Sequence, residues 1–133
     1  MFCYQCEQTA QCKGCTSFGV CGKDPQTAAL QDLLIQATKG VAMYAHRARE
    51  LGARDANLDH AVTEALFTTV TNVNFDAERL AGWALRLAAL RNRAKALYEG
   101  AYEAKYGKAP APLDGPAAWQ PAVGLDGLVA QGA

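Results

Sequence analysis

The sequence has no excess of charge of either sign, no long apolar run, and no cysteine beyond position 21. Thirteen basic side chains balance thirteen acidic ones, so the chain lacks the basic surface with which proteins bind nucleic acid or anionic membranes. No apolar stretch reaches the ~18 residues that a membrane-spanning helix requires. We therefore expect neither nucleic acid nor a membrane among the partners of this chain.

The first six residues, MFCYQC, contain no positive charge and no apolar segment, so they do not resemble a secretory signal. We therefore expect a cytoplasmic protein. Thiols stay reduced in that compartment, where clustered cysteines more often bind metal or carry out redox chemistry than form disulfides. An odd number of cysteines, five, also fits a disulfide framework poorly.

Beyond the cysteines, apolar residues recur at helical spacing in three segments, and no segment has the pattern of a β-hairpin. The first helix starts at Asp24-Pro25, the second covers about 58–73, and the third starts after Asp76. Short polar residues and glycines mark the expected caps and stops: Asp24, Gly52, Asp55 or Asn57, Asp76 and Gly107. The pattern predicts an all-α fold, a small antiparallel bundle of about three helices.

Composition divides the chain into three parts that we expect to belong to one truncated domain. Residues 1–23 form a cysteine-rich loop with three glycines that supply backbone freedom. Residues 24–107 carry the helical pattern, and residues 108–133 are rich in Pro, Gly and Ala. We expect the last part to be an irregular tail that acts as an arm or linker.

The five cysteines allow two sets of four ligands. One is Cys3-x2-Cys6-x8-Cys15-x5-Cys21, and the other replaces Cys21 by Cys12. Four thiolates can hold an iron–sulfur cluster or a zinc ion, and paired thiols can also carry out redox chemistry without a metal. An iron–sulfur cluster is favoured, because no histidine lies near the loop and the loop lacks the hairpin pattern of a zinc ribbon. The zinc site and the metal-free redox site remain as alternative interpretations.

Four segments, in order along the chain, closely resemble the hybrid cluster proteins, also called hydroxylamine reductases or prismane proteins. They are MFCYQCEQT at 1–9, GVCGK at 19–23, LQDLLI at 30–35 and LFTTVTNVNFD at 66–76. The resemblance implies that the N-terminal cysteines hold the proximal cluster, an electron-transfer centre. It also implies a [4Fe–4S] cluster on Cys3, Cys6, Cys15 and Cys21, with Cys12 as a bystander thiol.

The resemblance further implies a second, catalytic hybrid cluster, whose ligands in the family are a His, two Glu and several Cys at later positions. With no cysteine after Cys21, this chain cannot build that cluster, so we assign it no catalytic residues. We expect the N-terminal electron-transfer part of a hydroxylamine reductase, inactive alone. Its implied partners are the C-terminal domains that carry the hybrid cluster and an external electron donor. The alternative is a structural zinc-binding or interaction module without redox activity.

Other side chains give weaker indications. His46 with Glu50 and His60 with Glu64 are spaced four apart on helices, which is typical of exposed polar pairs rather than of a metal site. Lys13 and Lys23 flank the ligands, where positive charge would favour thiolates. Three aromatic residues could shield a cluster or pack in the core: Tyr4, Phe18 and Tyr44. We expect Arg91 and Arg93 of the third helix on a solvated face.

Overall fold

A computed structural model describes residues 1–133, the whole sequence. It contains four α-helices and no β-strand, so the all-α prediction is confirmed. The helices are α1 (Pro25–Glu50), α2 (Ala56–Val70), α3 (Ala77–Tyr106) and α4 (Gly124–Gly132). Two short 3-10 turns lie at Ala10–Cys12 and Gly115–Ala118. None of the helices combines the length and apolar character needed to cross a bilayer.

The first three helices begin where aspartates cap them. The side chain of Asp24 accepts a hydrogen bond from the backbone N–H of Thr27 at 2.7 Å, and Asp55 and Asp76 cap α2 and α3 in the same way. The pattern placed the end of α2 at about residue 73, whereas the helix ends at Val70. Asn72 explains the difference, because its φ of 52° lies in the left-handed region that a right-handed helix cannot contain.

The core lies mainly between the two long helices, α1 and α3. Leucines from both helices are completely buried there, together with alanines that let the two backbones approach closely. Leu58 and Ala65 of α2 complete one side of this core, but Leu66 and Val70 on the same helix remain exposed. Helix α1 is therefore the central element, since the other helices pack around it.

The prediction of an irregular tail from residue 108 onwards is wrong in part, because these residues include the nine-residue helix α4. Leu128 on α4 is buried against the core. Gly132 lies so close to α1 that an added Cβ would clash with the carbonyl oxygen of Ala29. The prolines and glycines obscured this helix in the sequence, and its stability comes from tertiary packing rather than from local propensity.

Arg91 is also placed differently from the sequence expectation of a solvated side chain. It is 3% exposed, and its guanidinium donates hydrogen bonds to the carbonyl oxygens of Ala117, at 3.3 Å, and Trp119. Arg93 has an exposed side chain and pairs with Asp55 at 2.7 Å. The two arginines differ because the segment after α3 folds back over Arg91 only.

Candidate metal centre

The N-terminal segment folds so that the backbones of Cys3 and Cys15 lie side by side. The N–H of Cys3 donates to the carbonyl oxygen of Cys15 at 2.9 Å, and the N–H of Cys15 donates back at 2.8 Å. Gly14, with a φ of 154°, permits the turn between them, and the ring of Phe2 occupies the space that a side chain at Gly14 would need. Two of the predicted ligands are therefore fixed next to each other by the backbone alone.

Cys15 is the most enclosed of the five cysteines, with 5% of its surface exposed. The backbone N–H of Val20 lowers the pKa of the Cys15 thiol, and the N–H of Ala10 and the hydroxyl of Thr9 lower it further. Ala10 N lies 3.4 Å and Thr9 Oγ1 3.7 Å from Cys15 Sγ. Hydrogen bonds to the charged form favour it, so this environment promotes the thiolate, which is the form that binds metals.

Lys23 supplies a buried positive charge beside this segment. Its side chain is 1% exposed, and Nζ lies 3.5 Å from Cys3 Sγ and 3.3 Å from Gln5 Oε1. The ring of Phe75 covers the ammonium at 5.7 Å from its centroid. Lys13, the other lysine near the ligands, is exposed. The sequence did not distinguish these two lysines, whereas the fold brings only Lys23 to a cysteine sulfur.

The remaining cysteines lie nearer the surface. Cys21 is exposed, and its Sγ accepts a hydrogen bond from Asn72 Nδ2 at 3.7 Å. Asn72 lies in the turn between α2 and α3. A Cβ at Gly19 would stand 2.9 Å from the Cβ of Lys23 and 3.2 Å from Cys21 Sγ, so the absence of a side chain there leaves room for both residues. Cys6 is half-buried, whereas Cys12 is exposed with a left-handed φ of 56°.

The structure does not bring three or more His, Cys, Asp or Glu side chains together as a group that could hold a metal ion. The chemistry of the donors nevertheless fits an anionic sulfur-ligated group. All five cysteines are free thiols, and the sulfurs of Cys3, Cys15 and Cys21 each accept a hydrogen bond from a nitrogen donor. Such donors stabilise thiolates and the sulfurs of bound clusters.

The other candidates from the sequence lie elsewhere. The His46–Glu50 and His60–Glu64 pairs are exposed on helix surfaces with N···O distances of 3.6 and 3.7 Å. Tyr44 is a core residue whose ring contacts that of Tyr98 at a tilt of 42°, and Tyr4 and Phe18 are exposed rather than packed over the cysteines.

Sequence reasoning missed Asn72, Gln5 and Thr9. Asn72 carried one readable signal, since asparagine tolerates the left-handed conformation that turns its amide towards Cys21.

Comparison with known proteins identifies the family. The model of the Prismane/CO dehydrogenase family matches residues 1–119. This chain belongs to that family. The prismane-family chain is 56% identical over 133 residues to a hydroxylamine reductase of Geobacter sulfurreducens. It is 53% identical to a hydroxylamine reductase of Geobacter metallireducens over 133 residues and 51% identical to that of Rhodospirillum rubrum over 132 residues.

The matches to these three relatives cover 99% of the prismane-family chain but only 24% of the length of each relative. The chain therefore corresponds to about a quarter of the curated hydroxylamine reductases that it matches. The family expected from the sequence is confirmed.

Proposed function

We propose that this chain is the iron–sulfur electron-transfer part of a hydroxylamine reductase, and that Cys3, Cys6, Cys15 and Cys21 hold a [4Fe–4S] cluster. One observation carries the proposal. The sulfurs of three of these four cysteines accept hydrogen bonds from N–H or ammonium groups, in a segment whose backbone pairs Cys3 with Cys15. Protein sites for anionic clusters supply donors of this kind.

The residues of the chain have distinct tasks in this proposal. The four thiolates bind iron, and the cluster supplies one-electron redox chemistry when it is bound. Thr9 and the N–H of Ala10 hold the Cys15 thiolate, and Asn72 ties Cys21 to the turn between α2 and α3. Cys12 is left as a bystander, consistent with its exposure.

The relatives are named hydroxylamine reductases, and we propose the same activity for the complete enzyme to which this chain belongs. Hydroxylamine takes up two electrons and two protons, its N–O bond breaks, and ammonia and water leave. Nitric oxide is the other substrate that we propose. In this proposal the electrons come from an external donor, and the catalytic cluster lies in the part of the enzyme outside this chain. The enzyme acts in the cytoplasm. This chain alone is expected to reduce no hydroxylamine.

Two matched cysteine variants test the ligand set. We would purify the wild-type chain anaerobically, reconstitute it with iron and sulfide, and measure iron and zinc per chain. Cys15→Ser should abolish iron binding, whereas Cys12→Ser should leave the iron content of the wild type unchanged. The opposite pattern would show that the ligand set is wrong. One zinc and no iron in the wild type would replace the proposal by a structural zinc module.

A further inference from the structure

Lys23 is a lysine whose charge no carboxylate offsets. None of the ion pairs in the structure includes it. Its two hydrogen-bond acceptors are the sulfur of Cys3 and the neutral amide of Gln5. Lysine is almost never fully buried unless it is paired, because removing an ammonium from water without a compensating negative charge is strongly unfavourable. Lys23 at 1% exposure therefore requires a negative charge close by.

Asp32 is the carboxylate that shares a cavity with Lys23, Cys3 and Gln5. Asp32 itself is exposed to solvent, and none of the ion pairs in the structure joins its carboxylate to Lys23, so it does not neutralise the buried ammonium. The remaining candidate for the negative charge is the sulfur of Cys3, which Nζ approaches at 3.5 Å.

We infer that Lys23 is a positioning residue whose buried ammonium serves as counter-charge to the sulfur-bound cluster and raises the reduction potential of the cluster. This inference rests on the proposed function. Reduction adds one electron, taken from dithionite in the experiment below. No bond forms or breaks in this step. The added negative charge is stabilised by a fixed cation and by an N–H donor to a cluster sulfur, and both raise the potential of an iron–sulfur centre. The ring of Phe75 and the burial of Nζ keep water from screening this charge.

The chain offers a matched control in Lys13. Lys23→Met and Lys13→Met remove the same charge from the same 23-residue segment, but Lys13 is exposed and its charge is screened by solvent and salt. An effect of net charge alone would therefore appear in both variants. An effect of the buried contact would appear only in Lys23→Met.

The experiment is a potentiometric titration with dithionite, followed by electron paramagnetic resonance, of the reconstituted wild type and both variants. Lys23→Met should lower the equilibrium constant for reduction at least tenfold, which corresponds to about 59 mV for a one-electron couple. Lys13→Met should change it less than threefold. Lys23→Arg, which keeps a positive charge, should recover at least half of the loss. Equal potentials for the Lys23→Met and Lys13→Met proteins would overturn the inference.

Iron content and far-ultraviolet circular dichroism of the same samples separate the remaining outcomes. If Lys23→Met binds no iron while its helical signal equals that of the wild type, Lys23→Arg decides: restored iron binding supports the counter-charge role, and no iron in Lys23→Arg overturns it. If Lys23→Met loses its helical signal, Lys23 has a purely structural role and the inference is overturned. If the wild type itself assembles no cluster, the proposed function falls together with this inference. A wild type that binds a cluster but shows no Lys23-specific shift overturns the inference alone.

Discussion

Replacing Arg91 by Met tests how the end of the chain is held on α3. The guanidinium of Arg91 donates to the carbonyl oxygens of Ala117 and Trp119, and it is 3% exposed. Methionine keeps much of the apolar stem but leaves both carbonyl groups without this donor. A buried polar group left unpaired costs about 1–3 kcal/mol, and since the Trp119 carbonyl is only partly buried, we expect a total loss of about 2–4 kcal/mol of stability.

Arg93→Met is the matched control, since it removes the same charge from the same helix two residues away. The exposed side chain of Arg93 pairs with Asp55, and surface ion pairs contribute about 0–1 kcal/mol. Urea denaturation and thermal unfolding, both followed by circular dichroism at 222 nm, measure the two variants. For a chain of this size, each kcal/mol corresponds to about 3–5 °C in Tm, so Arg91→Met should melt about 10 °C lower. If Arg93→Met destabilises the protein as much as Arg91→Met, the placement of Arg91 as a buried donor is wrong.

Two further substitutions test the caps and the packing of α4. Asp24→Ala should cost about 1 kcal/mol at neutral pH, because Asp24 caps α1 through Thr27, whereas Asp114→Ala, at a position with no capping hydrogen bond, should cost almost nothing. The hydrogen bonds from Thr27 lower the pKa of the Asp24 carboxyl, so its contribution is complete above the pKa of the unfolded chain, near 4, and is lost as the pH falls through the folded pKa. The stabilities of the wild type and Asp24→Ala should therefore draw together as the pH falls below the unfolded pKa of about 4, and a difference that stays constant throughout acid denaturation would contradict the cap assignment. Gly132→Ala should release α4 from α1, because the new Cβ would clash with the carbonyl oxygen of Ala29, and amide exchange in α4 should then accelerate. Gly100→Ala is its control, since open space surrounds Gly100, and unchanged exchange in Gly132→Ala would refute the close approach.

The features that could be predicted from the sequence are those that neighbouring residues determine. The aspartate caps of α1, α2 and α3 each involve a hydrogen bond that spans two or three residues. The apolar stripes of α1 and α3 follow from helical period alone, and the all-α class follows from them. Clustered cysteines and the ordered matches to one family likewise needed no tertiary information.

The features that could not be predicted depend on contacts between distant parts of the chain. Arg91 is buried by carbonyl groups 26 and 28 residues further on. Helix α4 depends on the approach of Gly132 to Ala29, and local composition argued against any helix there. Spacing also gave Lys13 and Lys23 equal standing, although only Lys23 reaches a cysteine sulfur.

The most direct test of the cluster assignment is metal and spin analysis of the wild-type chain, purified and reconstituted without oxygen. We expect about four iron and four sulfide per chain, and a one-electron paramagnetic signal after reduction with dithionite that integrates to about one spin per chain. A colourless chain with a single zinc ion, or one that retains no metal, would contradict the assignment of Cys3, Cys6, Cys15 and Cys21 as ligands of an iron–sulfur cluster.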